Sequence, residues 1–291
     1  MSASTATGGG GGGSGEPRHG VRILCLWAVF TVIVVPLIIW VVGPHIPPFD
    51  RSVQSSDQHN VNVVLLTLAV PIVGMIWVFF GYSIAVFRNR GDEVVDGPPL
   101  AGEPRIQITW LAVTTVLVLG LATYGTVGLL GKSKGAGGGQ GPSPLSRPAA
   151  STHPLQIQVI GQQWLWTFRY PSYGGVETAQ LVVPVHRWIE FHVTSLDVIH
   201  SFWAIELGVK ADAVPGNDNV AFLNATKTGT FQVRCAELCG LWHGHMNSFG
   251  KVVSPTAFAS WAVAREQQYA AITKDLPPYS TVYYPQPIRR G

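Results

Sequence analysis

A chain of 291 residues has room for one or two domains, and 47% hydrophobic against 12% charged residues points to membrane-crossing segments rather than one soluble globule. The formal net charge of +3 is too mild for a nucleic-acid partner, and no basic stripe with interleaved aromatics accompanies it. Only three cysteines occur, and two of them share one short motif, which excludes a disulfide framework.

Residues 1–20 are small and polar, with an unbroken glycine run from Gly8 to Gly13. They bury too little to offset ordering entropy, and are expected to be a disordered Gly-rich N-terminus. Ile23 to Val42 is apolar throughout and long enough to cross a hydrocarbon layer of about 30 Å. With Arg18 and Arg22 just ahead of it, the segment 21–43 reads as a signal peptide or an extra transmembrane helix. The length of the run, and the lack of a small-residue cleavage signal before Pro47, favour a retained span. Cys25 inside it is expected to be a buried small hydrophobe. A polar loop, Asp50 to Asn60, leads to a second apolar run, Val63 to Phe87. After Arg88-Asn-Arg90 and a Gly/Pro-containing loop to Arg105 comes a third, Ile106 to Leu130. Residues 60–130 therefore predict a two-helix transmembrane hairpin. The basic residues beside the spans put the N-terminus and the 88–105 loop inside, and everything after residue 131 outside.

Residues 131–153, rich in Gly, Ser and Pro, read as a linker. From Leu155 the pattern turns to period two. Leu155, Ile157 and Val159 alternate with glutamines, Trp164, Trp166, Phe168 and Tyr170 share one parity, and Ile189, Phe191, Val193 and Phe231, Val233, Cys235 follow suit. Short alternating runs between Gly, Pro and Asn turns predict an all-β sandwich over 154–270. Within that range Pro255 to Ala270 is expected to be an amphipathic helix; 271–291, with its prolines and tyrosines, is expected to be an irregular tail.

The chemistry concentrates in Cys235-Ala-Glu237-Leu-Cys239-Gly-Leu-Trp-His243-Gly-His245-Met246. Soft sulfur with imidazole suits copper, and a lone thioether is a habit of electron-transfer copper rather than of zinc. Cys239, His243 and Met246 alone could furnish a mononuclear site. A second thiolate at Cys235 could bridge to a second ion, for which His200 in Asp197-Val-Ile-His200-Ser-Phe-Trp203 is the obvious further imidazole. Two bland readings compete: a Cys235–Cys239 disulfide and a structural zinc on two thiolates and two imidazoles. Both leave Met246 idle and the His200 segment a coincidence. His245 stands one residue off the ligand register.

The pattern C-x-E-x-C-x-x-x-H-x-x-M, preceded by D-V-I-H-S-F-W and by G-x-Q-W-x-W, resembles subunit 2 of haem-copper cytochrome c oxidases, from about residue 60 to about 270. The resemblance implies a membrane-anchored all-β protein: two or three N-terminal transmembrane helices, then a cupredoxin-like β-sandwich. It implies a dinuclear copper centre, CuA, bridged by Cys235 and Cys239. His200 and Met246 would complete one ion, His243 and the backbone carbonyl of Glu237 the other. The Glu237 carboxylate would help hold magnesium at the interface with the catalytic subunit. Trp164 is the match for the family's aromatic at which electrons arrive. The partners so implied are the catalytic haem-copper subunit 1, other oxidase subunits, a c-type cytochrome donor and the membrane. The location implied is the cell or inner membrane, multi-pass, with the copper domain on the extracytoplasmic side. As a subunit of cytochrome c oxidase, the chain would accept electrons from the cytochrome and pass them on for the reduction of oxygen to water, catalysing nothing alone. The same motifs would suit the copper subunit of a haem-copper nitric oxide reductase. A membrane-anchored copper carrier fits less well, since only three methionines are present. The chain departs from the family at Gln107, where a carboxylate usually precedes the Trp of this helix start, and at Leu165 and Gln162 beside Trp164. Glu103, one turn earlier, is a candidate substitute for the missing carboxylate. No Cys-x-x-Cys-His motif attaches a haem to this chain.

Overall fold

The computed structural model describes residues 18–46, 51–88, 102–128, 130 and 147–273. The helices are α1 (His19–Leu37), continued by a π-turn at Ile38–Val42, α2 (Val53–Val86), α3 (Pro104–Gly128) and α4 (Pro255–Thr273). The strands are β1 (Leu155–Gln162), β2 (Leu165–Tyr170), β3 (Val176–Thr178), β4 (Val182–Pro184), β5 (Trp188–Ser195), β6 (His200–Ala204), β7 (Val209–Ala213), β8 (Asn219–Asn224), β9 (Gly229–Cys235) and β10 (Asn247–Val253). The Gly-rich run up to residue 17, the linker from 131 to 146, most of the 88–105 loop and the tail from 274 onward lie outside the described residues.

Three helical stretches are long and apolar enough to cross a membrane: His19–His45, Val53–Val86 and Pro104–Gly128, of 27, 34 and 25 residues. The chain divides into two units. In the first, residues 1–43 with 64–99, the Trp27 indole donates to the Pro71 carbonyl at 2.7 Å, and the His19 ring meets the Tyr82 hydroxyl at 2.8 Å. Cys25 is exposed on α1, which corrects the expectation of a buried thiol: on an all-apolar helix the face outward to lipid is as hydrophobic as the face inward, so sequence alone does not assign the side.

The second unit, residues 44–63 with 100–291, holds the sandwich. One sheet has the order β3-β2-β1-β5-β8, the other β4-β10-β9-β6-β7. The period-two pattern works as expected: Ile157, Val159, Phe168, Ile189, Phe191, Phe202 and Val233 are all fully buried between the sheets. Each such side chain contributes about 1.5–3 kcal/mol relative to exposure. Tyr170 stitches one sheet to the other, its hydroxyl donating to the Val182 carbonyl at 2.9 Å and accepting from the Val182 N–H at 2.8 Å. Helix α4 begins where Ser254 caps it, the Oγ accepting the Ala257 N–H at 3.2 Å, with Pro255 in the first helical position. It lays Phe258 and Ala262 into the core and its Trp261 ring against Tyr170, centroids 5.1 Å apart.

The polar loop expected over Asp50 to Asn60 is instead the start of α2, which is helical from Val53. Its polar side chains are spent on the backbone of the sandwich. Ser52 Oγ donates to the Leu207 carbonyl at 2.7 Å, Gln58 Nε2 to the Gly208 carbonyl at 2.6 Å, and Gln54 Oε1 accepts the Asn224 N–H at 3.0 Å. Ser52, Gln54 and Ser55 are fully buried there. A window rich in Ser, Gln, Asp and Asn looks like a loop until a neighbouring sheet edge supplies the partners that a loop would find in water.

Two outcomes follow. Replacing Gln54 with Leu removes the acceptor of the part-buried Asn224 N–H, a loss of about 1 kcal/mol, and should lower the thermal midpoint of the detergent-solubilised protein. The second concerns His192 on β5. Burial disfavours its charge, but its 2.8 Å hydrogen bond to Asp218 and the nearby Glu190 outweigh that burial and Arg147, raising its pKa above the ordinary 6.5. A raised folded-state value stabilises below the unfolded pKa and loses that stabilisation as pH rises through the folded one. Denaturant midpoints should therefore fall as pH climbs above 6.5, and His192→Gln should flatten that slope.

Candidate metal centre

The loop joining β9 to β10, residues 236–246, closes over one end of the sandwich. Cys235 is the last residue of β9, paired with Phe202, and its N–H donates to the Met246 carbonyl at 3.1 Å. The two ends of the loop are thus pinned to each other. His200 opens the neighbouring β6, whose register with β9 puts the imidazole beside the thiol. His200 is fully buried, and Cys235, Cys239 and Met246 are buried with it.

The Sγ atoms of Cys235 and Cys239 lie 3.8 Å apart, far beyond the 2.03–2.05 Å of a disulfide, and both thiols are free. His200 Nδ1 is 3.9 Å from Cys235 Sγ, His243 Nδ1 3.5 Å from Cys239 Sγ, and Met246 Sδ 3.8 Å from Cys239 Sγ. The Cys235 thiol also reaches the Glu237 carbonyl at 3.2 Å. The ligand atoms of His200, Cys235 and Cys239 all fall within 4.8 Å of one another.

These separations suit a metal. Two thiolates about 2.3 Å from one tetrahedral ion stand about 3.8 Å apart, and a thiolate and an imidazole nitrogen about 3.6 Å. The donor set of two sulfurs, two imidazoles, a thioether and a carbonyl is softer than zinc requires, and the thioether is a copper trait. Electrostatics make the same demand. Burial pushes the Cys239 thiol up to about 12, and the neighbouring Cys235 adds to the rise. Two adjacent buried thiolates are tenable only with cationic charge between them.

Each remaining candidate has a definite place. The Glu237 side chain is exposed. His245 is exposed too, its ring 5.3 Å from that of Trp242. Trp164 is half-buried in the β1–β2 turn and packs against the core, its indole N–H donating to the Cys239 carbonyl at 3.1 Å. Trp166, on the inward parity, is core. Gln107 lies in the first turn of α3.

Sequence reasoning missed three residues. Asp197 accepts from His200 Nε2 at 2.9 Å, leaving Nδ1 aimed at Cys235. Burial works against its charge, but the Gln163 N–H, the His200 ring and the Val198 N–H prevail and hold its carboxyl below the usual range. Gln163 donates through Nε2 to the Cys239 carbonyl at 2.8 Å. Gly161 leaves room for the His200 ring: a Cβ there would stand 3.1 Å from both His200 Cδ2 and Trp166 Cζ3. Asp197 stands three residues ahead of a candidate ligand histidine, and Gly161 and Gln163 are the G and Q of the G-x-Q-W-x-W motif; the motifs name these residues without giving them a role.

Residues 176–253 match the family model described as "Cytochrome C oxidase subunit II, periplasmic domain". The cytochrome c oxidase subunit 2 of Thermostichus vulcanus is 29% identical over 294 residues, covering 87% of this chain and 88% of its own. That of Synechocystis sp. is 27% identical over 270 residues, 80% of each chain. Among solved structures, the periplasmic domain of subunit II of cytochrome oxidase (CoxB) of Bradyrhizobium japonicum is 37% identical, with a TM-score of 0.39, covering 40% of this chain and 96% of that one.

Gly161→Ala forces the His200 ring to shift by a few tenths of an ångström. Disturbing the support of a ligand typically costs 10–100-fold in metal affinity. Copper should therefore leave the variant at least about tenfold faster under a chelator challenge, with the β-sheet circular dichroism unchanged.

Proposed function

We propose that this chain, whose residues 176–253 match the family model of the cytochrome c oxidase subunit II periplasmic domain, is the electron-input subunit of a haem-copper oxygen reductase. Cys235, Cys239, His200, His243, Met246 and the Glu237 carbonyl would hold a pair of copper ions. The observation that carries the reading is the cluster itself: two free, buried sulfurs at 3.8 Å with two imidazoles and a thioether around them.

When bound, a copper pair supplies one-electron redox chemistry with the charge shared between two ions. The residues do the rest. The rigid sheets hold Cys235 and His200 in fixed register, so the ligand frame moves little between redox states. Burial of His200, Cys239 and Met246 excludes water from the sulfurs. Trp164 links the surface to the site: its half-exposed indole is one hydrogen bond from the Cys239 backbone, which fits a contact for a c-type cytochrome. Around it Leu165, Leu238 and Leu241 are exposed, consistent with docking by apolar contact rather than by charge steering. The exposed Glu237 carboxylate is free to meet a catalytic subunit, where it would contribute to a magnesium site. The three apolar helices anchor the protein in the cell or inner membrane, with the sandwich on the extracytoplasmic side.

The test is metal counting and spectroscopy on the purified oxidase. The wild-type protein should hold two copper ions per chain with a mixed-valence signature. Cys235→Ser should drop the count to one or none and cut electron delivery from a reduced c-type cytochrome at least about a hundredfold, an effect of about 2.7 kcal/mol or more on the barrier. Met246→Leu should keep both ions and shift their potential. A wild-type centre holding zinc, a single copper, or a Cys235–Cys239 disulfide in its working state overturns the reading.

A further inference from the structure

A chain of hydrogen bonds links His200, Asp197, Gln163 and the copper loop at Cys239. His200 Nε2 contacts Asp197 Oδ1 at 2.9 Å, and the other carboxylate oxygen of Asp197 accepts the Gln163 backbone N–H at 2.7 Å. The Gln163 side chain then donates to the Cys239 carbonyl at 2.8 Å. That carbonyl also receives the Trp164 indole N–H at 3.1 Å. The approach is close enough that a Cβ on Gly240, whose φ is +111°, would stand 3.0 Å from Gln163 Nε2 and 3.3 Å from Trp164 Cζ2. Two N–H dipoles from adjacent residues therefore converge on the peptide of a residue whose thiol is part of the ligand set.

We propose that Gln163 is a positioning residue for the redox step: it holds the Cys239 carbonyl against the Trp164 indole and raises the reduction potential of the copper centre. The inference rests on the function proposed above. Its physical basis is that the positive ends of N–H dipoles aimed at a ligand residue favour the electron-rich reduced form, and hydrogen bonds in the ligand shell are among the levers that set potentials. A second basis is geometric. Trp164 and Cys239 belong to separate loops, and Gln163 ties its own turn to the copper loop with one bond through its side chain and to Asp197 with another through its backbone. Without the side-chain bond, the indole alone holds the carbonyl. The Gln163 side chain is exposed, so its loss opens no core cavity.

The experiment uses the assembled oxidase with Gln163→Met, which keeps the length of the side chain and removes both donors. Trp164→Phe, which removes the other donor to the same carbonyl, is the companion. Copper stoichiometry, midpoint potential and the rate of reduction by a c-type cytochrome are measured on each. Gln163→Met should retain two copper ions and lower the midpoint, by up to about tenfold in the one-electron equilibrium constant, about 59 mV. It should slow reduction by the cytochrome several-fold. Trp164→Phe should move the midpoint in the same direction, and the double variant further than either. A Gln163→Met protein with both ions and an unmoved midpoint overturns the proposal. So does one that simply loses copper, which would make Gln163 a strut for the loop. A wild-type centre without a copper pair would instead sink the function on which the proposal rests.

Discussion

Two buried thiols 3.8 Å apart set the constraint that the rest of the domain answers. Burial and the neighbouring sulfur both oppose charge on Cys239, and push its thiol up to about 12. The surrounding architecture keeps the sulfurs close yet unjoined. Cys235 is fixed by the β6–β9 ladder and Cys239 by the two donors on its carbonyl. The imidazole of His200 is held by Asp197 so that its other nitrogen faces the pair. Backbone ladder, carboxylate and amide thus each fix one member of the cluster.

Much of the architecture is legible in the sequence because its signals are periodic. Alternation at Leu155, Ile157 and Val159, at Phe191 and Val193, and at Phe231 and Val233 marks strands whose inner faces close the core. The apolar runs announce helices by length alone. The motif from Cys235 to Met246 carries the candidate donors in fixed spacing, and a distant candidate, His200, sits in a segment as recognisable as the loop itself. The fold and most of the candidate centre therefore follow from local rules.

What escapes is what depends on partners distant in sequence. Ser52, Gln54 and Gln58 read as a loop, since nothing nearby reveals that the carbonyls of Leu207 and Gly208 and the N–H of Asn224 await them. Gln163 enters the sequence reading only as the Q of G-x-Q-W-x-W, with no role of its own, and its bond to Cys239 crosses 76 positions. Cys25 shows the same limit from the other side, for an apolar run does not state which of its faces meets protein and which meets lipid. Periodicity records burial; it does not record the identity of a hydrogen-bond partner.

Helix α4 has a consequence for how the chain is made. It lies against β3 and β4, each at the edge of its own sheet, and Phe258 and Trp261 close the core beside them. Unpaired strand edges invite pairing with other chains, and α4 is the last of the described elements to leave the ribosome. Through most of synthesis both edges stand open, so a ribosome stalled before Pro255 would release a nascent domain prone to aggregate rather than one awaiting its metal.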